Sequence, residues 1–127
     1  MKYIVKSQKS VEQASEDFEA AVSRNGFGVL HTYNLKETLN SKGIPFENEL
    51  RIFEICNPVR ASEVLAADME MNMALPCRVS IWENEGATSI GMISPSAMLG
   101  MLSKAPGLHE IAESVEFSIK TMIEEAK

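Results

Sequence analysis

The stretch CRVSIWENEGATSIGMI, Cys77 to Ile93, decides the fold. It holds two β-prone runs, Cys77 to Trp82 and Ala87 to Ile93, joined by Glu83-Asn84-Glu85-Gly86, whose length and glycine suit a hairpin turn. Strands joined so closely run antiparallel. In the first of them Val79 and Ile81 point one way, and Arg78, Ser80 and Trp82 point the other.

Upstream, Leu50 to Cys56 is rich in β-branched residues, apolar on both faces except for Glu54, and suits a central strand. Asn57 and Pro58 end it and are the favoured N-cap and first residue of a helix carrying Ala61, Val64 and Leu65 inward. A loop, Asp68 to Pro76, leads into the hairpin. Nearer the start, Tyr3, Ile4 and Val5 open a strand, and Ser10 with Gln13 forms a capping-box pattern. Val11, Ala14, Phe18, Ala21 and Val22 follow at helical spacing until Asn25-Gly26. Phe27, Val29, His31 and Tyr33 alternate with Gly28, Leu30 and Thr32, which places His31 on the Phe27 and Val29 face. Asn34 caps a helix from Leu35 to Lys42, closed by Gly43 and Pro45.

Downstream, Ser94-Pro95 opens a short helix containing Met98, Leu99 and Leu102. After Pro106-Gly107 the last helix carries one apolar stripe of Leu108, Ile111, Ala112, Val115, Ile119, Met122, Ile123 and Ala126, with Phe117 off it. The order β-α-β-α-β-α-β-β-α-α, with its hairpin, predicts an α+β two-layer sandwich: a mixed or antiparallel sheet of about five strands with helices packed on one face.

Composition agrees with one domain spanning residues 1–127. Eighteen acidic against twelve basic residues give a net charge of −6, a field that repels phosphate backbones and anionic lipid, so neither nucleic acid nor a membrane is an expected partner. The hydrophobic share of 45% supports a core, and no apolar run is long enough for a membrane helix. MKYIVKS reads as a first strand rather than a secretory leader. Cys56 and Cys77 form no CxxC, which predicts free thiols in a reducing cytoplasm.

Together, Gly26-Phe27-Gly28-Val29-Leu30, Leu35-Lys36-Glu37-Thr38-Leu39 followed by Lys42-Gly43, Cys56-Asn57-Pro58, Leu75-Pro76-Cys77 and Pro95-Ser96-Ala97-Met98-Leu99-Gly100 stand in an order that resembles the bacterial and archaeal family called domain of unknown function 302. The resemblance covers nearly the whole chain. It implies a compact α+β fold with a helix-backed sheet, often dimeric, and no established activity. Where the family tends to carry a glycine-containing acidic loop before Leu-Pro-Cys, this chain has Met69-Glu70-Met71-Asn72-Met73-Ala74.

Candidate chemistry centres on Cys56 and Asn57, because a thiol ahead of a helix start lies near unpaired N–H groups that stabilise an anion or a thiolate. Cys77 joins it if the two strands are neighbours; otherwise both cysteines are small buried hydrophobes. Glu54 shares a strand face with Cys56, and either converges on that site or pairs with Arg51, Arg78 or a lysine. Met71 and Met73 with Cys77, and Met69 beside them, offer soft ligands for Cu(I), although the methionine-rich tract from 69 to 101 equally describes an adaptable apolar pocket including Met98. His31 and His109 stand in no triad spacing, and the common nucleotide, zinc and calcium motifs are missing.

Phe53 and Ile55 oppose Ile52 and Cys56, so the sheet has two apolar faces while the helices cover one. A symmetric dimer stacked through the other face, anchored by Trp82, supplies the second cover; the alternative leaves Trp82 partly exposed under a loop. The leading expectation is a cytoplasmic, non-enzymatic homodimer without a cofactor that binds a small ligand or partner in an apolar, Met-lined cleft near Cys56 and Cys77, with Glu54, Asn57 and Met98 contributing. A thiol-based or soft-metal-handling protein using Cys56, Cys77 and the Met69 to Met73 loop is the alternative. An enzyme using Glu54 or His31 as acid or base ranks third, because no second catalytic group can be placed beside either.

Overall fold

The chain forms β1 (Lys2–Ser7), α1 (Val11–Arg24), β2 (Gly28–Asn34), α2 (Leu35–Ser41), β3 (Leu50–Cys56), α3 (Pro58–Ala67), a 3₁₀ helix (Met69–Ala74), β4 (Cys77–Asn84), β5 (Ala87–Ile93), α4 (Pro95–Leu102) and α5 (Leu108–Ala126), in a computed structural model describing residues 1–127. The strands make one sheet in the order β1-β5-β4-β3-β2, and every neighbouring pair is antiparallel. Helices lie on one side. The hairpin turn is tight: Glu85 and Gly86 both take positive φ, 53° and 77°, the pairing that matches the twist of two-residue hairpins. No helix is long and apolar enough to cross a membrane.

The strand alternation read from sequence sorts the two faces. Phe53, Ile55, Val79, Ile81, Ile90 and Met92 point to the helix side and are buried against Ala14, Phe18 and Val22 of α1 and Ile119, Met122 and Ile123 of α5. Phe18 meets Phe53 edge-on with centroids 5.2 Å apart. A smaller core, Val64, Met71, Leu99, Leu108 and Ala112, joins α3, the 3₁₀ helix, α4 and α5 at one end of the sheet. Because β1 and β2 are the two edge strands, α1 links one edge of the sheet to the other.

Two expectations are corrected. The span 68–76 is not a plain loop, since Met69–Ala74 winds as a 3₁₀ helix capped by Asp68, whose carboxylate accepts from the Glu70 N–H at 3.0 Å. Six residues are too few for periodicity to announce it. His31 does not share a face with Val29. A register shift between Val29 and His31 pairs Val29 with Ile55 but His31 with Glu54, so His31 and Tyr33 turn to the open face of the sheet.

Caps hold the helices where the sequence marks them. Ser10 accepts from the Gln13 N–H at 3.1 Å, while the Gln13 side chain turns to Asp17 instead of closing the box. The start of α4 is tied to α5 by Glu116, whose Oε1 accepts from the Ser96 N–H at 3.0 Å, from the Ser96 hydroxyl at 2.7 Å and from the Ser94 hydroxyl. Its other oxygen meets Lys120 Nζ at 3.1 Å. Burial opposes the charge of Glu116, but the hydrogen bonds from Ser94, Ser96 and Lys120 outweigh burial and hold its carboxyl down at about 2.

Phe53→Ala removes the ring at the centre of the core and lowers the unfolding free energy by about 3–5 kcal/mol in a urea titration. Glu116→Gln keeps the shape but loses the charge-assisted bonds, costing about 1.5–3 kcal/mol at neutral pH. A carboxyl held below its unfolded value stabilises fully above that value, so the gap between wild type and Glu116→Gln closes as pH falls from about 4.5 toward 2.

Candidate functional site

Asn57 performs the cap its position predicts. Its Oδ1 accepts from the Val59 N–H at 3.0 Å and the Arg60 N–H at 3.2 Å, so the free donors at this helix start are taken by the protein itself. Cys56 precedes it as the last residue of β3, and Cys77 follows the cis Leu75–Pro76 bond as the first residue of β4. Register places Cys77 opposite Ile55 and Cys56 opposite Gly28. They leave the sheet with opposite alternation, yet both thiols, free and half-buried, line one apolar cavity of about 270 Å³ with Phe27, Val64, Leu99 and Val115. Burial first, and then neighbouring Cys56, push the Cys77 thiol up to about 11. Cys77 is therefore a protonated wall of this cavity at neutral pH, not a thiolate.

A larger cleft of about 570 Å³ opens beside it on the uncovered face of the sheet. Leu75, Pro76, Cys77, Pro95 and Leu99 line both hollows, so the two meet at a shared wall. Met98 on α4 and Glu54 on β3 line the larger one, as do Lys2, Arg78 and Trp82. Its floor depends on Gly91. A Cβ there would stand 3.0 Å from Ile4 Cγ1 and the Tyr3 carbonyl, and 3.2 Å from Trp82 Cη2, so only glycine lets Ile4 and the Trp82 ring close over β5. Trp82 is half-buried, with its ring against Gly91 of β5.

Glu54 makes none of the ion pairs expected of it. It accepts from the Tyr33 hydroxyl at 3.0 Å, and Tyr33 in turn packs edge-on against His31 with centroids 4.4 Å apart. The Glu54 hydrogen bond and charge raise the pKa of Tyr33, keeping the phenol a donor. Arg51 turns instead to Glu49, at 3.8 Å. The bulge at Leu30 thus brings His31, Tyr33 and Glu54 together on the open face, a grouping that a uniform alternation along β2 hides.

The methionine array does not converge. Three residues per turn of the 3₁₀ helix send positions two apart to different sides. Met71 is buried in the small core, whereas Met69 and Met73 are exposed, Met73 reaching the larger cleft. Met71 is therefore turned away from Met73 and Cys77, which both line the larger cleft, and no three His, Cys, Asp or Glu side chains come together as ligands. His109 is solvated and pairs with Glu113 at 3.1 Å. Lys2 and Gly91 are the site residues the sequence reading did not single out, while Trp82 entered it as a dimer anchor and Arg78 as a partner for Glu54. Alternation had already put Arg78 and Trp82 on one face.

The arrangement is a pair of adjacent, mainly apolar hollows with a few polar groups lining the larger one, which suits binding more than proton transfer. Among curated proteins no relative matches the chain. Its fold is similar to the crystal structure of an uncharacterized conserved protein DUF302 from Bacillus stearothermophilus, with a TM-score of 0.93 and 31% identity, covering 99% of this chain and 98% of that one. The family model described as domain of unknown function DUF302 matches residues 3–126. The ordered motifs, the fold and this match over nearly the full length together place the chain in the DUF302 family.

Proposed function

We propose that the protein is a non-catalytic, homodimeric binding module for a small molecule, held in the cleft between the open sheet face and α4. The observation that carries this reading is a cleft of about 570 Å³, a ligand-sized volume, set beside an apolar interior pocket of about 270 Å³ and sharing with it the wall formed by Leu75, Cys77 and Leu99. Cys56, Cys77 and Met98 serve as soft apolar wall, Asn57 shapes the pocket mouth, and Glu54 with Arg78 supplies polarity. A second copy stacked on the open face covers Ile4 and Ile93, which are 47% and 55% exposed, and roofs the cleft rather than filling it. A cytoplasmic setting fits the two unpaired cysteines.

Native mass spectrometry of untagged protein, purified without chelator or reductant, tests this. The expected spectrum is a dimer carrying a small adduct, reduced to monomer by Ile93→Glu. A monomer at micromolar concentration refutes the stacking, and a bare protein that also takes up no apolar probe refutes the binding. The thiol reading makes the opposite forecast for Cys77. With its thiol held near 11, alkylation by iodoacetamide at neutral pH is expected to run more than about tenfold slower than for an exposed cysteine, measured by peptide mass mapping. Rapid labelling restores thiol chemistry as the better account.

A further inference from the structure

We propose that the cleft selects an organic anion, with an apolar body lying against Trp82, Ile4 and Met98 and an acidic head group held by Arg78 and Lys2. The inference rests on the reading of this cleft as a small-molecule site. It comes from how the protein spends its cations. Of twelve lysines and arginines in a chain of net charge −6, Lys9, Arg24, Lys36, Arg51, Arg60, Lys120 and Lys127 pair with carboxylates. Lys6 and Lys104 donate to the Ser89 hydroxyl and the Gly100 carbonyl, and Lys42, exposed at the end of α2 and away from the cleft, has no side-chain partner. The two cations that line the cleft, Lys2 and Arg78, have no such partner.

Arg78 makes the case most clearly. It sits directly across from Glu54 in the β3–β4 register, the position where an opposite charge is easiest to pair. Glu54 instead takes its hydrogen bond from Tyr33 on β2, the strand on the other side of β3 from Arg78. The guanidinium keeps its forked set of donors free, a geometry that fits carboxylate, sulfonate or phosphate oxygens. Glu54 is the sole acidic residue lining the cleft against Lys2 and Arg78, so this surface is positive within an acidic protein. Apolar walls at one end of the cleft and unpaired cations at its rim define an amphipathic anion.

The test compares two fluorescent probes that share one apolar body: anilinonaphthalene sulfonate and its neutral parent, phenylnaphthylamine. Wild type is expected to bind the sulfonate about tenfold more tightly, roughly 1.4 kcal/mol, with the advantage shrinking as salt rises. Arg78→Gln, at an exposed position, should remove most of that advantage and leave the neutral probe unchanged. Glu54→Gln, which keeps an acceptor for Tyr33 but deletes the repelling charge, should tighten the sulfonate alone. Equal affinity for both probes in wild type, or no effect of Arg78→Gln on the sulfonate, overturns the anion assignment while the binding site stands. Failure of wild type to bind either probe overturns the cleft as a ligand site, and the anion assignment with it.

Discussion

Phe18 lies edge-on against Phe53 at 5.2 Å, and the rest of the molecule is arranged around that contact between α1 and the sheet. It sits where α1 passes under the strands on its way from one sheet edge to the other. Once it forms, Ala14 and Val22 fall on the same side of α1, Ile55 and Val79 on the same side of the sheet, and α5 closes the remaining gap. The helices are then used up on one face. Whatever the opposite face does, it does with strand side chains, the end of α4 and the 3₁₀ helix.

That asymmetry explains why the two faces follow different chemistry. The covered face is a close-packed layer in which Ser15 is the rare buried hydroxyl without a partner. The open face keeps isoleucines, a tryptophan, a phenol, a carboxylate and two cations within reach of one cleft. Glu116 contributes indirectly: by gathering Ser94 and Ser96 it fixes the helix that forms the cleft's far wall.

Much of the fold was legible in the sequence because it is carried by short-range signals. Alternation in the hairpin, the caps at Ser10, Asn57 and Ser94, and the stripe on α5 each depend on residues within a few positions of one another. What was hidden depends on a single inserted residue or on distance. The bulge at Leu30 flips everything after it on β2, so His31 and Tyr33 could not be assigned to the Glu54 side from spacing alone. The 3₁₀ turn splits Met71 from Met73 for the same kind of reason. Cys56 and Cys77 were recognised as candidates, but their meeting at one cavity required knowing that β3 and β4 are neighbours and that both strands end there. Of the cleft, Glu54, Met73, Cys77, Trp82 and Met98 were named in advance. Arg78 was visible as a residue on the Trp82 face and as an expected partner of Glu54, but not as an unpaired charge, which is a property of its surroundings.

The placement of β1 has a consequence for the order in which the chain assembles. β1 is made first and hydrogen-bonds only to β5, with Lys6 meeting Ser89 across most of the sequence. The hairpin β4–β5 closes locally, whereas β1 waits for residue 93 to emerge during synthesis before it finds its place. A strand left waiting is a hazard for pairing with other chains. Lys2 and Lys6 give the nascent strand a charge that holds such pairing off, so the lysines that later rim the open face also serve the chain before the sheet exists.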